Sequence, residues 1–329
     1  MTSKKWVAAA AMAFGGLIAM LAAGPAAAQT YPTRPIRMVV GFAPGGPADV
    51  MARLIGQRMY AALGQPIVVD NRAGAGGTIA ARVVAESEPD GYTLLLGNTS
   101  TLVISPLMYK NVGYDALKAF APIAQLGSTA DVMVVNPKFP AKSVQELIAY
   151  AKANPGKLNY SSPGIGTPPH LIGEMLKLRT GIDIVHVPYK SGGQSIQAVI
   201  AGEVQLTFEN PAVALPLVQA GTVRALAVTS AMRDAQAPDV PTLNESGLPD
   251  FVVESFTGVV GRAGMPAAIV TRLNAVINES LKSPQVAETL VKLAVDAKNE
   301  TPEQFGRFLA KELADMTPVV KAAGLQGVE

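Results

Sequence analysis

The chain has 329 residues, with 27 basic and 25 acidic side chains, two histidines and no cysteine. Without cysteine there can be no disulfide scaffold, thiolate metal site, cysteine nucleophile or lipid-modified cysteine. A near-neutral charge with no block of like charges argues against electrostatic capture by nucleic acid or an anionic membrane.

Lys4 and Lys5 precede an uncharged, Ala- and Gly-rich apolar run over residues 6–23, and Ala26-Ala27-Ala28 follows as a small-residue cleavage site before Gln29. These are the three regions of a secretory signal peptide, so residues 1–28 are expected to be removed after Ala28 and the mature chain to be periplasmic. A membrane anchor would need a run of about this length, but Ala and Gly make this one weakly hydrophobic. The two leader lysines account for the basic excess, which leaves an electroneutral mature chain of about 300 residues, enough for one large or two modest domains.

The mature chain repeats a strand–turn–helix rhythm. Residues 36–43 read as an apolar strand, Pro44-Gly45-Gly46-Pro47 as a turn, and 48–63 as a helix with Val50, Leu54 and Met59 at helical spacing and Gly64 as its stop. Pro47 suits the first helical position, where a missing N–H costs nothing, and Asp49 suits the positive end of the helix dipole. A strand at 67–69, a helix at 77–85 and a strand at 92–96 follow, then the polar loop Asn98-Thr99-Ser100-Thr101. Next come a strand at 132–135 and a helix opened by the capping box Ser143-Val144-Gln145-Glu146 and running to about Asn154. A strand at 158–160, a Gly-rich loop at 163–167, a helix at 168–179 and a strand at 182–187 continue the pattern. Tyr189-Lys190-Ser191-Gly192-Gly193 leads into a helix ending near Gly202, strands are expected at 204–208 and 223–228, and Thr301-Pro302-Glu303 opens the last long helix. Such alternation predicts an α/β fold with mostly parallel sheets covered by helices on both faces, whose ligands bind in the loops after the strands.

Five of those loops are rich in Gly, Ser, Thr and Asn: residues 44–49, 74–78, 98–101, 164–170 and 189–193. Glycine lets backbone N–H groups approach a ligand, and a helix start leaves its first N–H groups without intrahelical partners. A carboxylate or phosphate fits such a place. One Gly-rich loop alone is more simply a tight turn; five on one sheet edge point to a binding site. Hydrogen bonds to a charged group contribute roughly 1.5–3 kcal/mol each, so a handful matches the ~8 kcal/mol of a micromolar complex without an arginine clamp. Phosphate-loop, nucleophile-elbow and dinucleotide signatures are absent, since 74–79 ends in Ile79 where the last would need a small residue. His186 falls within a strand and reads as structural. His170, at a helix start, is placed either to face ligand or to cap its loop. Two histidines on separate elements without an acidic cluster make a poor metal site, and no cofactor is implied.

Several ordered segments carry a family resemblance: Tyr31-Pro-Thr-Arg-Pro-Ile, Pro44-Gly-Gly-Pro-Ala-Asp49, Asn71-Arg-Ala-Gly-Ala-Gly-Gly77, Asp90-Gly-Tyr-Thr-Leu-Leu-Leu-Gly97, Gly164-Ile-Gly-Thr-Pro-Pro-His-Leu171, His186-Val-Pro-Tyr-Lys190 and Pro238-Asp-Val-Pro-Thr242. From residue 31 to 324 the chain resembles the Bug receptors, the periplasmic solute-binding proteins of tripartite tricarboxylate transport systems. The resemblance implies a two-lobed periplasmic-binding-protein fold of type II, a Venus flytrap with two crossovers near Ala130 and Val253. Lobe one would comprise 29–130 plus 253–329 and lobe two 131–252. The implied function is capture of a small carboxylate between the lobes, without chemistry, and delivery to a membrane permease by a monomeric receptor. Delivery to a sensor kinase, or a hydrolase using His170 with Thr167 or Ser191, are the alternatives. Carried onto this chain, lobe one would offer Gly45, Gly46, Pro47, Ala48, Asp49, Thr99, Ser100 and Thr101. Lobe two would offer Gly166, Thr167, His170, Tyr189, Lys190, Ser191, Gly192 and Glu209. The chain departs from the family pattern at Ser191, where Gly is frequent, and at Gln205 and Glu209, where Asp is common. Ser191 and Glu209 lie where they would alter ligand choice.

Overall fold

The computed structural model describes residues 31–327, so the expected signal peptide at 1–28 lies outside the described residues. The chain divides into a short unit ending at Thr33 and a large one beginning at Arg34, which holds every described strand and helix.

The first half of the large unit alternates as the apolar pattern predicts. Strand β1 (Ile36–Val40) leads through the Pro-Gly turn to helix α1 (Pro47–Leu63), with Pro47 at its first position and Gly64 closing it in the left-handed conformation. Strand β2 (Ile67–Asn71), a 3₁₀ turn (Ala75–Gly77), helix α2 (Thr78–Ala85) and strand β3 (Thr93–Asn98) follow. The segment expected as a polar loop after Asn98 is instead helical: Thr99 leads into a wide turn (Ser100–Ile104) that continues as the short helix α3 (Ser105–Met108). The apolar run Leu102-Val103-Ile104 buries there, which a solvated loop would not allow.

Strand β4 (Phe120–Ala130) then crosses the molecule and is followed by β5 (Val132–Val135), α4 (Val144–Ala153), β6 (Leu158–Ser162), α5 (Pro168–Thr180), β7 (Ile184–Pro188), α6 (Gly192–Ala201), β8 (Leu206–Glu209), α7 (Pro211–Gln219) and β9 (Arg224–Val228). Ser143 caps α4 by accepting from the Glu146 amide, but the Glu146 carboxylate reaches past the cap to the Lys142 amide, so the expected box is not reciprocal. Strand β10 (Glu254–Arg262), helices α8 (Ala267–Leu281) and α9 (Pro284–Lys292), the short strand β11 (Asp296–Ala297) and α10 (Pro302–Ala322) complete the chain. The start of α10 does carry a reciprocal capping box, between Thr301 and Gln304.

The strands form two sheets, ordered β11-β4-β10-β3-β1-β2 and β7-β6-β8-β5-β9. Both are mixed, which corrects the expectation of mostly parallel sheets. β1, β2 and β3 are parallel, as are β6, β7 and β8, while β10 runs against β3 and β4, and β5 runs against β8 and β9. The members that run against their neighbours are β5 and β10, by which the chain enters a sheet after each crossing, and the short β11. The chain leaves the first sheet after Ala130, enters the second at Val132 and returns at Glu254. The result is a two-lobed α/β fold.

Alternate residues of each sheet feed opposite apolar layers, which is why the strands read as continuous apolar runs. In the second sheet Met133 and Phe208 pack with Leu171 and Leu176 of α5, while Val132 and Val134 pack with Ile196 and Val199 of α6. One apolar cluster joins the halves: Val39 and Leu95 of the first sheet share it with Met133 and Leu206 of the second, and α10, which packs on both β4 and α5, adds Phe305 and Leu309 to it. Among the described residues no helix is long and apolar enough to cross a membrane.

Candidate functional site

Because β1, β2 and β3 run parallel, the segments after them, including residues 44–49, 74–77 and 99–101, emerge at one edge of the first sheet. The same holds in the second sheet for the segments after β6, β7 and β8. The two edges meet. Gly166, at φ +74°, brings its backbone so close to α3 that a methyl there would stand 2.7 Å from Met108 Sδ. Only glycine takes that conformation without strain. Beside this contact, Pro168 faces Asn98, Thr99 and Ser100 across a cavity of about 170 Å³ that Thr129, Ser255 and Thr257 also line.

On the first sheet, the Asp49 carboxylate turns inward. Its Oδ2 accepts from the Gly45 amide and from Arg53 Nε, each at 2.9 Å, and the residue is only 3% exposed. The Arg53 hydrogen bond, followed by the Gly45 amide, holds its carboxyl down to about 2. Asp49 therefore pins the turn and does not present its side chain to the cleft. Gly46 caps α1 without a side chain, and Pro47 has no N–H, so Ala48 supplies the first amide of the helix. Thr99 Oγ1 accepts the Phe256 amide at 2.8 Å, which ties the helical segment to β10. The Thr101 hydroxyl donates to the Gly76 carbonyl at 3.1 Å, and a methyl on Gly77 would overlap it. The Gly-rich 74–77 loop is thus shaped by close packing on that helical segment. Ser100 stays half-buried at the cavity wall.

On the second sheet, Thr167 occupies the cap position of α5, and its hydroxyl donates to the Gly164 carbonyl at 2.7 Å. His170 Nδ1 accepts the Gly166 amide at 3.1 Å, and the residue is 5% exposed. Of the two roles open to it, this ring takes loop capping, and it bonds neither Thr167 nor Ser191 as the hydrolase alternative requires. Its ring stacks on His186 at 3.8 Å, and Tyr160 lies tilted against His186 at 4.9 Å. His186 Nε2 meets Ser162 Oγ at 2.6 Å, and the Tyr160 hydroxyl donates to Glu174 Oε1 at 2.7 Å. Burial pushes both histidines below their ordinary value, His186 to about 4 with its neighbour His170 as the second cause. The stack is neutral and holds the 164–167 loop.

Ser191 caps α6 by accepting from the Gln194 amide. Tyr189, Lys190 and Ser191 line an open groove of about 770 Å³ with Gln194, Gln197 and Glu203 along α6. None of the three lines the cavity at Asn98–Ser100, while the Tyr189 carbonyl would stand 3.6 Å from a methyl on Gly164. Glu209, 8% exposed, lies against the first turn of α6: a methyl on Gly192 would stand 3.2 Å from its Oε2.

The cavity-lining hydroxyls of Thr129, Ser255 and Thr257 escaped the sequence reading, as did Asp131. They lie on or beside the crossing strands β4 and β10. The signal available was a cluster of small hydroxyl residues flanking the two crossover points, Ala130 and Val253.

Residues 51–325 match the family model described as the tripartite tricarboxylate transporter family receptor. Protein BugT of Bordetella pertussis is 39% identical over 303 residues, covering 92% of this chain and 93% of BugT. Among solved structures, an R. palustris protein with adipate is 34% identical with a TM-score of 0.73, covering 91% of this chain and all (100%) of that one. MatC from Rhodopseudomonas palustris, with bound malate, is 33% identical with a TM-score of 0.71, over 88% of this chain and 100% of MatC. A TctC solute-binding protein from Polaromonas without ligand reaches a TM-score of 0.81 at 26% identity, over 89% of this chain and 99% of that one.

Proposed function

This chain belongs to the tripartite tricarboxylate transporter receptor family, and from that premise we propose that it is a periplasmic solute-binding receptor that captures a small carboxylate between its lobes. The observation that carries the reading is the meeting of the two sheet edges, where Pro168 at the start of α5 closes a cavity lined by Asn98, Thr99 and Ser100 and by the small hydroxyls of Thr129, Ser255 and Thr257. Two relatives solved with adipate and malate support the ligand class.

Lobe one, 29–130 plus 253–329, and lobe two, 131–252, each contribute one edge. A ligand carboxylate takes backbone N–H groups from one lobe and hydroxyls from the other, so the closed arrangement alone makes both sets of contacts. The ligand shell combines the 45–48 turn, Ser100, Thr129, Ser255 and Thr257 with Gly166 and Thr167. No chemistry is required of it. The Ser162–His186 pair is the nearest approach to a nucleophile and base, but Ser162 is fully buried and no carboxylate hydrogen-bonds the other histidine nitrogen. The signal peptide delivers the chain to the periplasm, where a monomer docks transiently on a membrane permease.

The test is a thermal-shift screen of ligand-stripped protein starting at Gln29 against small carboxylates and their neutral amides. Binding to the native state raises the melting temperature, by about 4 kcal/mol of stabilisation at a thousandfold excess over Kd. The expected result is a shift for an acid, absent for its amide, and reduced in Ser255→Ala and Thr257→Val without loss of apo stability. Shifts only with uncharged compounds would overturn the reading.

A further inference from the structure

Strand β2 forms an open edge of the first sheet. It ends the order β11-β4-β10-β3-β1-β2 and, among the described residues, pairs only with β1. The Ile36 amide donates to the Pro66 carbonyl and the Arg72 amide to the Val40 carbonyl, in one unbroken parallel register. Those two bonds fix the phase of the ladder. Residues 66, 68, 70 and 72 turn their backbone groups to β1, so Ile67 and Val69 turn theirs outward. Native edges usually carry guards against further pairing. Here β9 is covered through the bridge from Val228 to Thr242, β11 has only two residues, and β7 closes on Pro188. Strand β2 has five residues, with neither a proline nor a bulge among them.

Grooves flank that edge on both faces. Val68 and Asp70 share one face with Arg37, whose Nε donates to Asp70 at 2.7 Å, and Arg72 Nε donates to the same carboxylate at 3.1 Å. A groove of about 520 Å³ runs over them. Ile67 lies on the face turned to α1, where a methyl on Gly56 would stand 3.2 Å from its Cβ. There a groove of about 410 Å³ is lined by Arg53, Gln57 and Tyr60. Val68 and Tyr60 are each more than half exposed, at 52% and 53%. The first groove holds two arginines and one aspartate and the second a single arginine, so each has a net charge of +1.

An extended chain laid along β2 would bond the outward N–H and C=O groups of Ile67 and Val69 and send alternate side chains into the two grooves. Carboxylates there meet arginine forks, and apolar side chains meet Val68 and Tyr60. A second copy of this protein fits poorly, because two net-positive edges would face each other. We propose that β2 is a docking edge for an extended segment of a partner protein that alternates acidic and apolar side chains and adds to the sheet as a further strand. The inference stands apart from the carboxylate reading, since no residue of this edge lines the cavity shared by the lobes.

The test is fluorescence polarisation of short labelled peptides on protein starting at Gln29. One peptide alternates Glu and Val, one alternates Lys and Val, and one is the Glu–Val peptide with alternate amides N-methylated. The Glu–Val peptide is expected to bind with a Kd below about 1 mM, about tenfold or more tighter than the other two, and to weaken as salt is raised. Val69→Pro removes an outward N–H without touching the ladder to β1, and Arg72→Glu reverses the charge of the first groove. Each should weaken the Glu–Val peptide about tenfold, the loss of roughly one such hydrogen bond, with the thermal shift by small carboxylates unchanged. Arg72→Glu suffices if Val69→Pro fails to fold. No binding of the Glu–Val peptide, equal binding of its lysine counterpart, or binding indifferent to Arg72→Glu would overturn the proposal. A wild-type dimer that Val69→Pro returns to monomer would overturn it in favour of a second copy.

Discussion

Gly173 lies in the middle of α5, where exchange for alanine ordinarily stabilises a helix by about 1 kcal/mol. The opposite sign is expected here. A methyl on Gly173 would stand 2.5 Å from Tyr160 Cζ and 2.7 Å from Cδ2, and closer still to Cε2. Comfortable carbon–carbon contact is about 3.5–4.0 Å, so roughly 1 Å of relief must come from the strand or the helix. The Tyr160 ring cannot supply it: it is fully buried, lies against His186, and its hydroxyl is bonded to Glu174 and to the His170 carbonyl. Overpacking of this kind costs about 1–3 kcal/mol, which cancels or exceeds the helix gain and leaves a net loss of up to about 2 kcal/mol, or a melting temperature lower by up to about 4 °C in a chain of this size. Gly193→Ala is the counterpart. It sits in α6 with nothing within 4 Å of a new methyl, so the same exchange should be neutral or stabilising by up to about 0.5 kcal/mol. Urea midpoints with matched m-values, supported by thermal melts, measure both. A Gly173→Ala protein as stable as Gly193→Ala would refute the packing argument.

Other outcomes follow from buried charge and from caps. Glu312, 7% exposed on α10, has an unpartnered Oε2 and is raised by burial to about 7 against 4.5 unfolded. The native state thus binds the extra proton between those values and its stability falls as pH rises through that window. Glu312→Gln should raise the melting temperature at pH 8 and give no gain below pH 4.5; a gain independent of pH would refute this. The stacked histidines work the other way. Their folded values lie below 6.5, so the unfolded state binds more protons as pH falls from 6.5 towards about 4 and stability is lost there. His186→Phe should therefore gain on wild type through that window in melts taken every half unit, and parallel curves would count against a neutral stack. Thr301→Ala removes half of the reciprocal box at the start of α10 and should cost about 1 kcal/mol, read as a lower denaturant midpoint with unchanged m-value.

Much of the architecture was legible because it is local. Pro47 at a first helical position, left-handed Gly64 and Gly202 after helix ends, and the box at Thr301 act through residues a few positions apart, and apolar runs such as 132–135 announce doubly covered strands. The ordered turn motifs likewise carried the family. Strand β4 was less readable, since Pro122 and Gly127 interrupt its pattern and its ladder with β10 shifts register twice.

The sequence alone determined the turns, the caps, the apolar strands and the family, since each depends on neighbours along the chain. The tertiary structure decided the rest. It set β10 and β11 of the first sheet and β5 of the second against their neighbours, β5 and β10 being the strands by which the chain enters a sheet after each crossing. It turned Asp49, Thr101 and His170 into supports for their loops, because buried polar groups take the nearest partner that folding brings. It also set Thr129 beside Ser255 and Thr257, from stretches far apart along the chain, where no local pattern records which side chains will share a cavity.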